Sequence, residues 1–281
     1  MQAEQRVVKS SQRLFVRHIA IPVEHGSWVF LFSPLLIGLF AGGELTGASF
    51  YFIGAALASF LIRQPITILV KIISKRRPRS EMPAALFWTG VYGLAVIAAL
   101  AGLIATGYAW LITLAVIALP VFGWNLWLVS RRAERRQPLV EIAGSSVLAL
   151  TAPAAYWVGV GSYNPTGWLL WGLTCLQAAV SIYYAYLRLE QRAWKSVPAL
   201  RECWRAGRAV VAGATGAVVL VTGLSLLKIT PAFLPLAYAI QWLETLYGTF
   251  NPAVGVKPTR IGIRQLIVSS AYTVAFILLW G

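Results

Sequence analysis

Long apolar segments alternate with short polar connections along the whole 281-residue chain. Each segment approaches the length of about 20 residues that an α-helix needs to cross a bilayer. The pattern predicts an all-α fold: a basic N-terminal tail and interfacial segment over residues 1–25, followed by a single nine-helix transmembrane domain over residues 26–281. The nine segments are predicted at Gly26–Gly43, Ala48–Ile73, Ala84–Thr106, Tyr108–Val129, Leu139–Gly161, Gly167–Leu187, Ala206–Leu227, Thr230–Phe250 and Ile261–Trp280.

The composition agrees with a polytopic membrane protein. The chain is 58% hydrophobic and only 12% charged, whereas a soluble domain carries about 25% charged residues. The opening stretch, "MQAEQRVVKSSQRLFVRHIA", is polar and basic and lacks the apolar core of a cleavable signal peptide. The two cysteines, Cys175 and Cys203, form neither a disulfide framework nor a metal knuckle.

The basic residues fall almost entirely on one side of the predicted membrane. Of the 24 lysines and arginines, 22 lie in the N-terminal tail, in alternate connections or at the segment ends beside them, while Lys228 lies in an opposite loop and Arg63 deeper inside a helix. The positive-inside rule therefore predicts a cytoplasmic N-terminus and an external C-terminus, as in a bacterial inner membrane or its equivalent. Topology and contact with anionic membrane lipids explain the net charge of +15, so no nucleic-acid partner is predicted.

One charged residue interrupts the second apolar segment. The stretch "ASFLIRQPITILV" contains Arg63, Gln64 and Pro65, and Arg63 lies about 15 Å from the predicted cytoplasmic end at 1.5 Å per residue. An unpaired arginine at this depth costs between a few and more than about ten kcal/mol, so it should face a partner or a wet cavity. Pro65 leaves a backbone carbonyl unpaired and is expected to kink the helix.

The other polar residues inside the segments share the predicted cytoplasmic half. Gln241, Glu244 and Tyr247 follow one another at helical spacing and lie on one face. Such one-sided polarity predicts a pocket that is open to the cytoplasm and sealed on the outside. The remaining candidates for its lining are Glu24, His25, Asn125, Glu141, Arg188, Arg192, Lys195 and Asn251.

Several of these residues also have a structural interpretation that the sequence leaves open. Glu141 at a helix start is favourable beside the helix dipole without any function. Arg63 and Glu244 would also serve as a structural ion pair. Interfacial placement or ordinary interhelical hydrogen bonding would account for others: Glu24, His25, Asn125 and Gln241.

Nine helices, cytoplasmic polarity and a long basic loop after the sixth helix resemble the UbiA-type membrane prenyltransferases. In that superfamily two Asp-rich motifs bind Mg²⁺ and an isoprenoid diphosphate, and the corresponding stretches here are "IRQPITILVKIISKRR" and "YYAYLRLEQRAWKSVP". This chain contains no aspartate, because its nine acidic residues are all glutamates. Mg²⁺ needs hard carboxylate oxygens at such a site, so Mg²⁺-dependent prenyl transfer is not expected and no cofactor is predicted.

A second resemblance is closer at the level of motifs. The stretch "IPVEHGSWVFLFSPLLIGL" is similar to the Pro-x-Glu-His-Gly-x-Trp signature of the YwiC-like family of bacterial membrane proteins, and the "RQP" of the second helix matches as well. This resemblance implies an integral membrane protein but assigns no activity, so function has to come from the site.

The first functional hypothesis is an enzyme or binding protein for an anionic amphipathic lipid of isoprenoid or quinone type. Arginines can hold a diphosphate or carboxylate head without metal. His25, oriented by Glu24 or Glu141, is the candidate general acid or base. The predicted substrate-binding residues are Arg63, Gln64, Asn125, Arg188, Arg192, Lys195, Gln241, Glu244 and Asn251.

Two other functions stay open. A non-enzymatic subunit or assembly factor of a membrane complex would use the glycines of "GRAVVAGATGAVVLVTG" for close contact with a partner helix. A transporter would need polar groups near the midplane and a route to both sides. The outer half of the predicted bundle offers almost nothing beyond aromatic and small residues, with Gln177 near mid-depth, so the transporter ranks last.

Overall fold

The computed structural model describes residues 14–22, 25–133 and 137–281, with only the backbone of His25. The described chain is all-α, with ten helices of ten or more residues and one short helix, α1 (Arg17–Ala20). Two 3₁₀ turns, Arg79–Glu81 and Ala109–Thr113, lead into α4 and α5. The long helices are α2 (His25–Gly42), α3 (Gly47–Ile73), α4 (Met82–Ala105), α5 (Leu114–Ser130), α6 (Pro138–Leu148), α7 (Thr151–Val160), α8 (Thr166–Gln191), α9 (Leu200–Leu226), α10 (Pro235–Phe250) and α11 (Pro258–Trp280).

The predicted multi-span, all-α class is confirmed, but the prediction of nine spanning helices is not. Among the described residues, seven helical stretches are long and apolar enough to cross a membrane, with α6 and α7 together forming one of them. The first predicted segment forms a shorter apolar helix, Gly26–Gly42. The eighth predicted segment is corrected to the shorter helix α10, which has 16 residues. At 1.5 Å per residue α10 is about 24 Å long, which is less than the roughly 30 Å thickness of a hydrocarbon core.

Proline explains the short α10. The apolar segment begins at Thr230, yet residues 230–234 are not helical, and the helix starts only at Pro235. Pro231 and Pro235 lack a backbone N–H, and proline suits the first helical position better than the interior of a helix. Hydropathy alone therefore overstated the helical length of this segment.

Contacts divide the chain into two compact units. Unit 1 comprises Met1–Glu24 and Leu45–Val140, so among described helices it holds α1, α3, α4 and α5. Unit 2 comprises His25–Glu44 and Glu141–Gly281. It holds α2, α6 from Glu141 onwards, and all of α7 to α11. The predicted division into a tail and a single transmembrane domain stays a prediction.

The described part of the predicted interfacial segment packs on α3 and α4 of unit 1. Ile19 is fully buried in an apolar cluster there. Side chains of α3 and α4 also donate hydrogen bonds of 2.9 Å to three carbonyl oxygens around α1. The cluster contains Ile68, Ile72, Ala84 and Ala85, and the bonds run from Trp88 to Leu14, from Gln64 to His18 and from Tyr92 to Ala20.

In unit 2, small residues bring α2 and α7 into close contact. A Cβ added at Gly38 would overlap the carbonyl group of Ala152, and one added at Gly159 would lie 2.9 Å from the Gly42 backbone. Contacts of this kind allow helix backbones to approach closely in membranes. Helix α8 contacts α2, α7, α9, α10 and α11, and this position makes it the central element of the unit.

Candidate functional site

A cavity of about 340 Å³ lies in unit 2 where α8 and α10 end and α11 begins. Three arginines from two helices line it: Arg188 from the last turn of α8, and Arg260 and Arg264 from the first two turns of α11. We call this cavity the arginine groove. Its remaining lining consists of Tyr184, Glu244, Tyr247, Asn251, Pro252, Ala253, Val256, Ile261 and Gln265.

Glu244 is the one carboxylate in the described lining of the groove, and both of its oxygens accept hydrogen bonds. Arg264 donates from Nε to Oε1 at 2.6 Å and from Nη2 to Oε2 at 2.8 Å, and the Tyr184 hydroxyl donates to Oε1 at 2.6 Å. The Glu244 side chain is 10% exposed, and the Arg264 guanidinium carbon lies 4.4 Å from the centre of the Tyr247 ring. Arg264 neutralises Glu244, so the lining keeps the positive charges of Arg188 and Arg260.

Arg188 is a buried structural cation. It is 7% exposed, and its Nη1 donates to Gln191 Oε1 at 2.7 Å, to the Gly248 carbonyl at 2.7 Å and to the Asn251 carbonyl at 2.6 Å. Gly248 lies in the last turn of α10, and Asn251 follows its end. A helix C-terminus leaves carbonyls unpaired and carries negative partial charge. Arg188 thus ties the end of α8 to the end of α10.

Arg260 is the open charge of the groove. Its side chain is exposed, and within the described residues its guanidinium has no hydrogen-bond or ion-pair partner. It lies one helical turn before Arg264 on α11, so both guanidinium groups face the same cavity. An anion entering the groove would meet Arg260 without breaking an existing contact.

A polar layer continues behind the groove. Gln241 is buried, and its Oε1 accepts a hydrogen bond of 2.8 Å from Gln265 Nε2, which also donates to Ser181 Oγ at 2.5 Å. Gln265 also lines the groove. Gln241 is among the site residues predicted from the sequence, whereas Gln265 and Ser181 are not, although each of these two has a polar residue one helical turn away, Ser269 and Gln177 respectively.

An apolar depression adjoins the charged part of the groove. It has a volume of about 520 Å³ and shares Glu244, Arg260 and Arg264 with the arginine groove. Its other lining residues are all aliphatic: Ile263, Ile267 and Val268 of α11. We call it the aliphatic trough. A cationic site and an apolar surface therefore meet along one helix.

The structure brings together some of the predicted site residues. Arg188, Glu244 and Asn251 line the arginine groove, and Gln241 lies behind it. Arg192 and Lys195 are exposed and do not line it. Arg192 donates from Nε to the Val256 carbonyl at 3.2 Å, which fixes the loop before α11.

The other predicted residues lie elsewhere or outside the described part. In unit 2, Glu141 is in the first turn of α6 and accepts a hydrogen bond of 2.7 Å from the Tyr186 hydroxyl. Arg63, Gln64 and Asn125 belong to unit 1. There α3 runs unbroken through Pro65, and the Arg63 guanidinium carbon lies 5.1 Å from the centre of the Phe60 ring. Glu24 and the side chain of His25 fall outside the described residues, and the roles of all these residues stay predictions.

The described part of unit 2 also contains buried polar groups where the sequence predicted little polarity. The Tyr272 hydroxyl donates to the Tyr238 hydroxyl at 3.1 Å, and the Tyr238 hydroxyl donates to the Leu173 carbonyl at 2.8 Å. Both tyrosines are buried, and both lie in the predicted outer half of their helices.

The fold and its apolar helices define a multi-span membrane protein. Residues 21–156 match the family model described as YwiC-like protein, so the predicted family resemblance is confirmed over this stretch. The chain is also similar to "Uncharacterized protein YwiC" of Bacillus subtilis (strain 168), at 26% identity over 173 residues, covering 61% of this chain and 68% of the relative. No solved structure matches the chain significantly. The resemblance to UbiA-type enzymes stays a prediction.

The family match and the arginine groove occupy different parts of the sequence. The match ends at residue 156, whereas the groove is lined by residues from Tyr184 to Gln265. The match includes the "PVEHGSW" stretch and the "RQP" of α3. The family match therefore gives no information about the groove, and only the residues of the groove indicate what it binds.

Proposed function

We propose that unit 2 binds an anionic amphipathic lipid, with the head in the arginine groove and the tail along the aliphatic trough. The observation that carries this proposal is the juxtaposition of three arginines, one neutralised carboxylate and an adjoining aliphatic surface on α11. An isoprenoid- or quinone-like lipid fits this arrangement where its head carries an anionic group, such as a diphosphate or a carboxylate. The predicted topology puts the groove on the cytoplasmic side of the membrane.

The charge of the groove favours an anionic head. After Arg264 pairs with Glu244, Arg188 and Arg260 leave an excess of positive charge, and Arg260 has no partner among the described residues. A guanidinium presents its N–H groups in a planar fork that matches the oxygens of a phosphate or carboxylate. Such a head would bind directly, without the metal-bridged chemistry that the aspartate-free sequence already disfavours.

The trough favours a lipid over a soluble anion. Ile263 and Ile267 are 55% and 63% exposed, on a helix that is apolar and long enough to span a membrane. Burying aliphatic surface against a hydrocarbon chain stabilises a complex by about 25 cal/mol per Å². The proposal concerns binding, and it assigns no chemical step to His25, Glu24 or Glu141.

Mass spectrometry of copurifying lipids tests this proposal. Wild type would be compared with Arg260→Gln, which removes the open charge, and with Arg208→Gln, which removes an exposed charge of α9 outside the groove. We expect an anionic lipid that is enriched in wild type and Arg208→Gln over the bulk membrane and depleted in Arg260→Gln. Bulk lipid alone in all three samples would rule the proposal out.

A role as a subunit of a membrane complex is the second candidate. Cβ atoms built at Gly213, Gly216 and Gly223 of α9 meet no described atom within 4 Å, whereas one at Gly207 would overlap Thr249. The first three glycines therefore leave a small-residue face open to another helix. Cysteine crosslinking from Gly216→Cys in intact membranes would trap such a partner, and crosslinks to no protein would count against it.

A further inference from the structure

A second, much smaller cavity lies inside unit 2, among α2, α6, α8 and α11. Its volume is about 20 Å³, which suffices for one water molecule, since a water needs roughly 10–15 Å³ by this measure. Six of its twelve lining residues are serine, threonine or glutamine. These are Ser33, Ser145, Thr174, Gln177, Ser181 and Ser269.

Three of the lining hydroxyls already donate a hydrogen bond to another group of the protein. Ser145 and Thr174 donate to carbonyl oxygens of the preceding helical turn, each at 2.9 Å. Ser33 and Thr273 hydroxyls lie 2.6 Å apart, and Thr273 donates to the Ser269 carbonyl at 2.8 Å. The proton between Ser33 and Thr273 therefore comes from Ser33. Each of these lining hydroxyls retains oxygen lone pairs that can accept another hydrogen bond.

Gln177 adds a hydrogen-bond donor without a partner to these acceptors. Its side chain is 6% exposed, it lines the cavity, and its Nε2 has no hydrogen-bond partner within the described residues. A buried amide N–H without a partner is strongly unfavourable in an apolar interior. The cavity thus combines one unpaired donor with several free acceptors.

We propose that this cavity is a binding site for one internal water molecule, held by Gln177. The water accepts a hydrogen bond from Gln177 Nε2 and donates its two protons to hydroxyl oxygens of the lining, such as Ser33, Ser145 and Thr174. This stoichiometry matches the donors and acceptors that the cavity offers. A cation fits less well, because the amide nitrogen of Gln177 carries hydrogens and none of the described lining residues carries a carboxylate.

The water would extend a polar path inward from the arginine groove. Ser181 lines the small cavity and accepts a hydrogen bond from Gln265, and Gln265 lines the groove. Gln177 lies four residues before Ser181, one helical turn further along α8. Polar contacts would then reach from the groove to the middle of α8, and this inference holds whether or not the groove binds a lipid.

X-ray radiolytic labelling with mass spectrometry tests the proposal, because hydroxyl radicals formed from a bound water oxidise the side chains beside it. Tyr272 lines the cavity and is fully buried. Trp157 is equally buried in the same unit, is more easily oxidised and does not line the cavity. We expect Tyr272 to be labelled severalfold faster than Trp157, and Gln177→Leu to abolish this excess.

Two results would overturn the water site. Labelling of wild-type Tyr272 at or below the rate of Trp157 would show that no water resides beside it. Unchanged Tyr272 labelling in a folded Gln177→Leu variant would show that the amide does not hold the water. The wild-type comparison decides the question even where Gln177→Leu fails to fold.

Discussion

Arg188 and Arg260 line the same groove but differ in burial and in hydrogen bonding. Arg188 is buried and donates three hydrogen bonds from Nη1, two of them to carbonyls at the end of α10. Arg260 is exposed and has no partner among the described side chains. We therefore assign Arg188 to the stability of the α8–α10 contact, and the proposed contact with a ligand falls to Arg260.

Exchange of either arginine for methionine separates these two roles. Arg188→Met should lower the free energy of unfolding by about 2–5 kcal/mol, because the Asn251 carbonyl loses its side-chain donor and the Gly248 carbonyl keeps only the bond from Gln191 Nε2. Arg260→Met should change it by less than about 0.5 kcal/mol, as for an ordinary surface position. Denaturant unfolding in detergent micelles, followed by tryptophan fluorescence, measures both. Equal costs for the two variants would refute the assignment.

Gly248 has a specific packing role beside the groove. A Cβ at this position would overlap the Tyr184 hydroxyl, which donates to Glu244 at 2.6 Å. Gly248→Ala should therefore displace Tyr184 and destabilise the protein by about 1–3 kcal/mol, as expected for overpacking. The thermal midpoint in detergent would report this loss.

The matched control is Gly262→Ala on α11. Gly262 lies inside a helix, and a Cβ there meets no described atom within 4 Å. Alanine should be neutral or stabilise the helix by up to about 1 kcal/mol. A Gly248→Ala variant as stable as Gly262→Ala would show that the Tyr184 side chain moves aside without a loss of stability.

At the scale of elements, the close contact of α2 with α7 depends on backbone atoms that cannot give way. The carbonyl group of Ala152 occupies the space where a Cβ at Gly38 would lie. A flexible side chain could rotate aside, but the helix backbone at Ala152 cannot. The two helices would have to separate, with a loss of packing along the whole contact.

Gly38→Ala should accordingly lower the yield of folded protein and destabilise what folds by at least about 1–3 kcal/mol. Gly172→Ala in α8 is the control, because a Cβ there meets no described atom within 4 Å. Size-exclusion profiles and thermal midpoints in detergent would compare the two variants. Similar profiles for both would contradict the close approach of α2 and α7.

The sequence predicted helices well because membrane helices carry a strong apolar signal. It failed where length depends on more than hydropathy: Pro231 and Pro235 shorten the eighth segment to the 16 residues of α10. It also could not anticipate the packing of Ile19 on α3 and α4, because the four-residue helix α1 is too short to show a helical period.

The candidate site was predictable only in part, for a related reason. Glu244 and Tyr247 stood out as a polar face within an apolar segment, and both line the groove. The partner of Glu244 is Arg264, 20 positions away on another helix, and one sequence does not show which helices face each other. The partners of Arg188 are mainly backbone carbonyls, which have no sequence signature.

At the scale of the whole molecule, the distribution of basic residues predicts the orientation in the membrane. The connection that contains Lys195 should face the cytoplasm, and the one that contains Ile229 should face outside. Both residues are exposed. They are suitable positions for single cysteines in a background of Cys175→Ala and Cys203→Ala.

A membrane-impermeant maleimide added to intact cells should label Ile229→Cys and leave Lys195→Cys unlabelled. Lysed membranes provide the control, because both positions should then react. Labelling of Lys195→Cys from outside would invert the predicted topology and would put the arginine groove on the external face.

The most direct test of the central claim is the binding of farnesyl diphosphate and farnesol to the protein in nanodiscs. The two probes share a tail and differ in the anionic head. We predict that farnesyl diphosphate binds wild type and Arg208→Gln with equal affinity and that farnesol binds both more weakly. Arg260→Gln should weaken the binding of farnesyl diphosphate by about tenfold or more, because a charge-assisted hydrogen bond contributes about 1.5–3 kcal/mol. Equal affinity of Arg260→Gln and Arg208→Gln for farnesyl diphosphate would contradict a lipid-head site in the arginine groove.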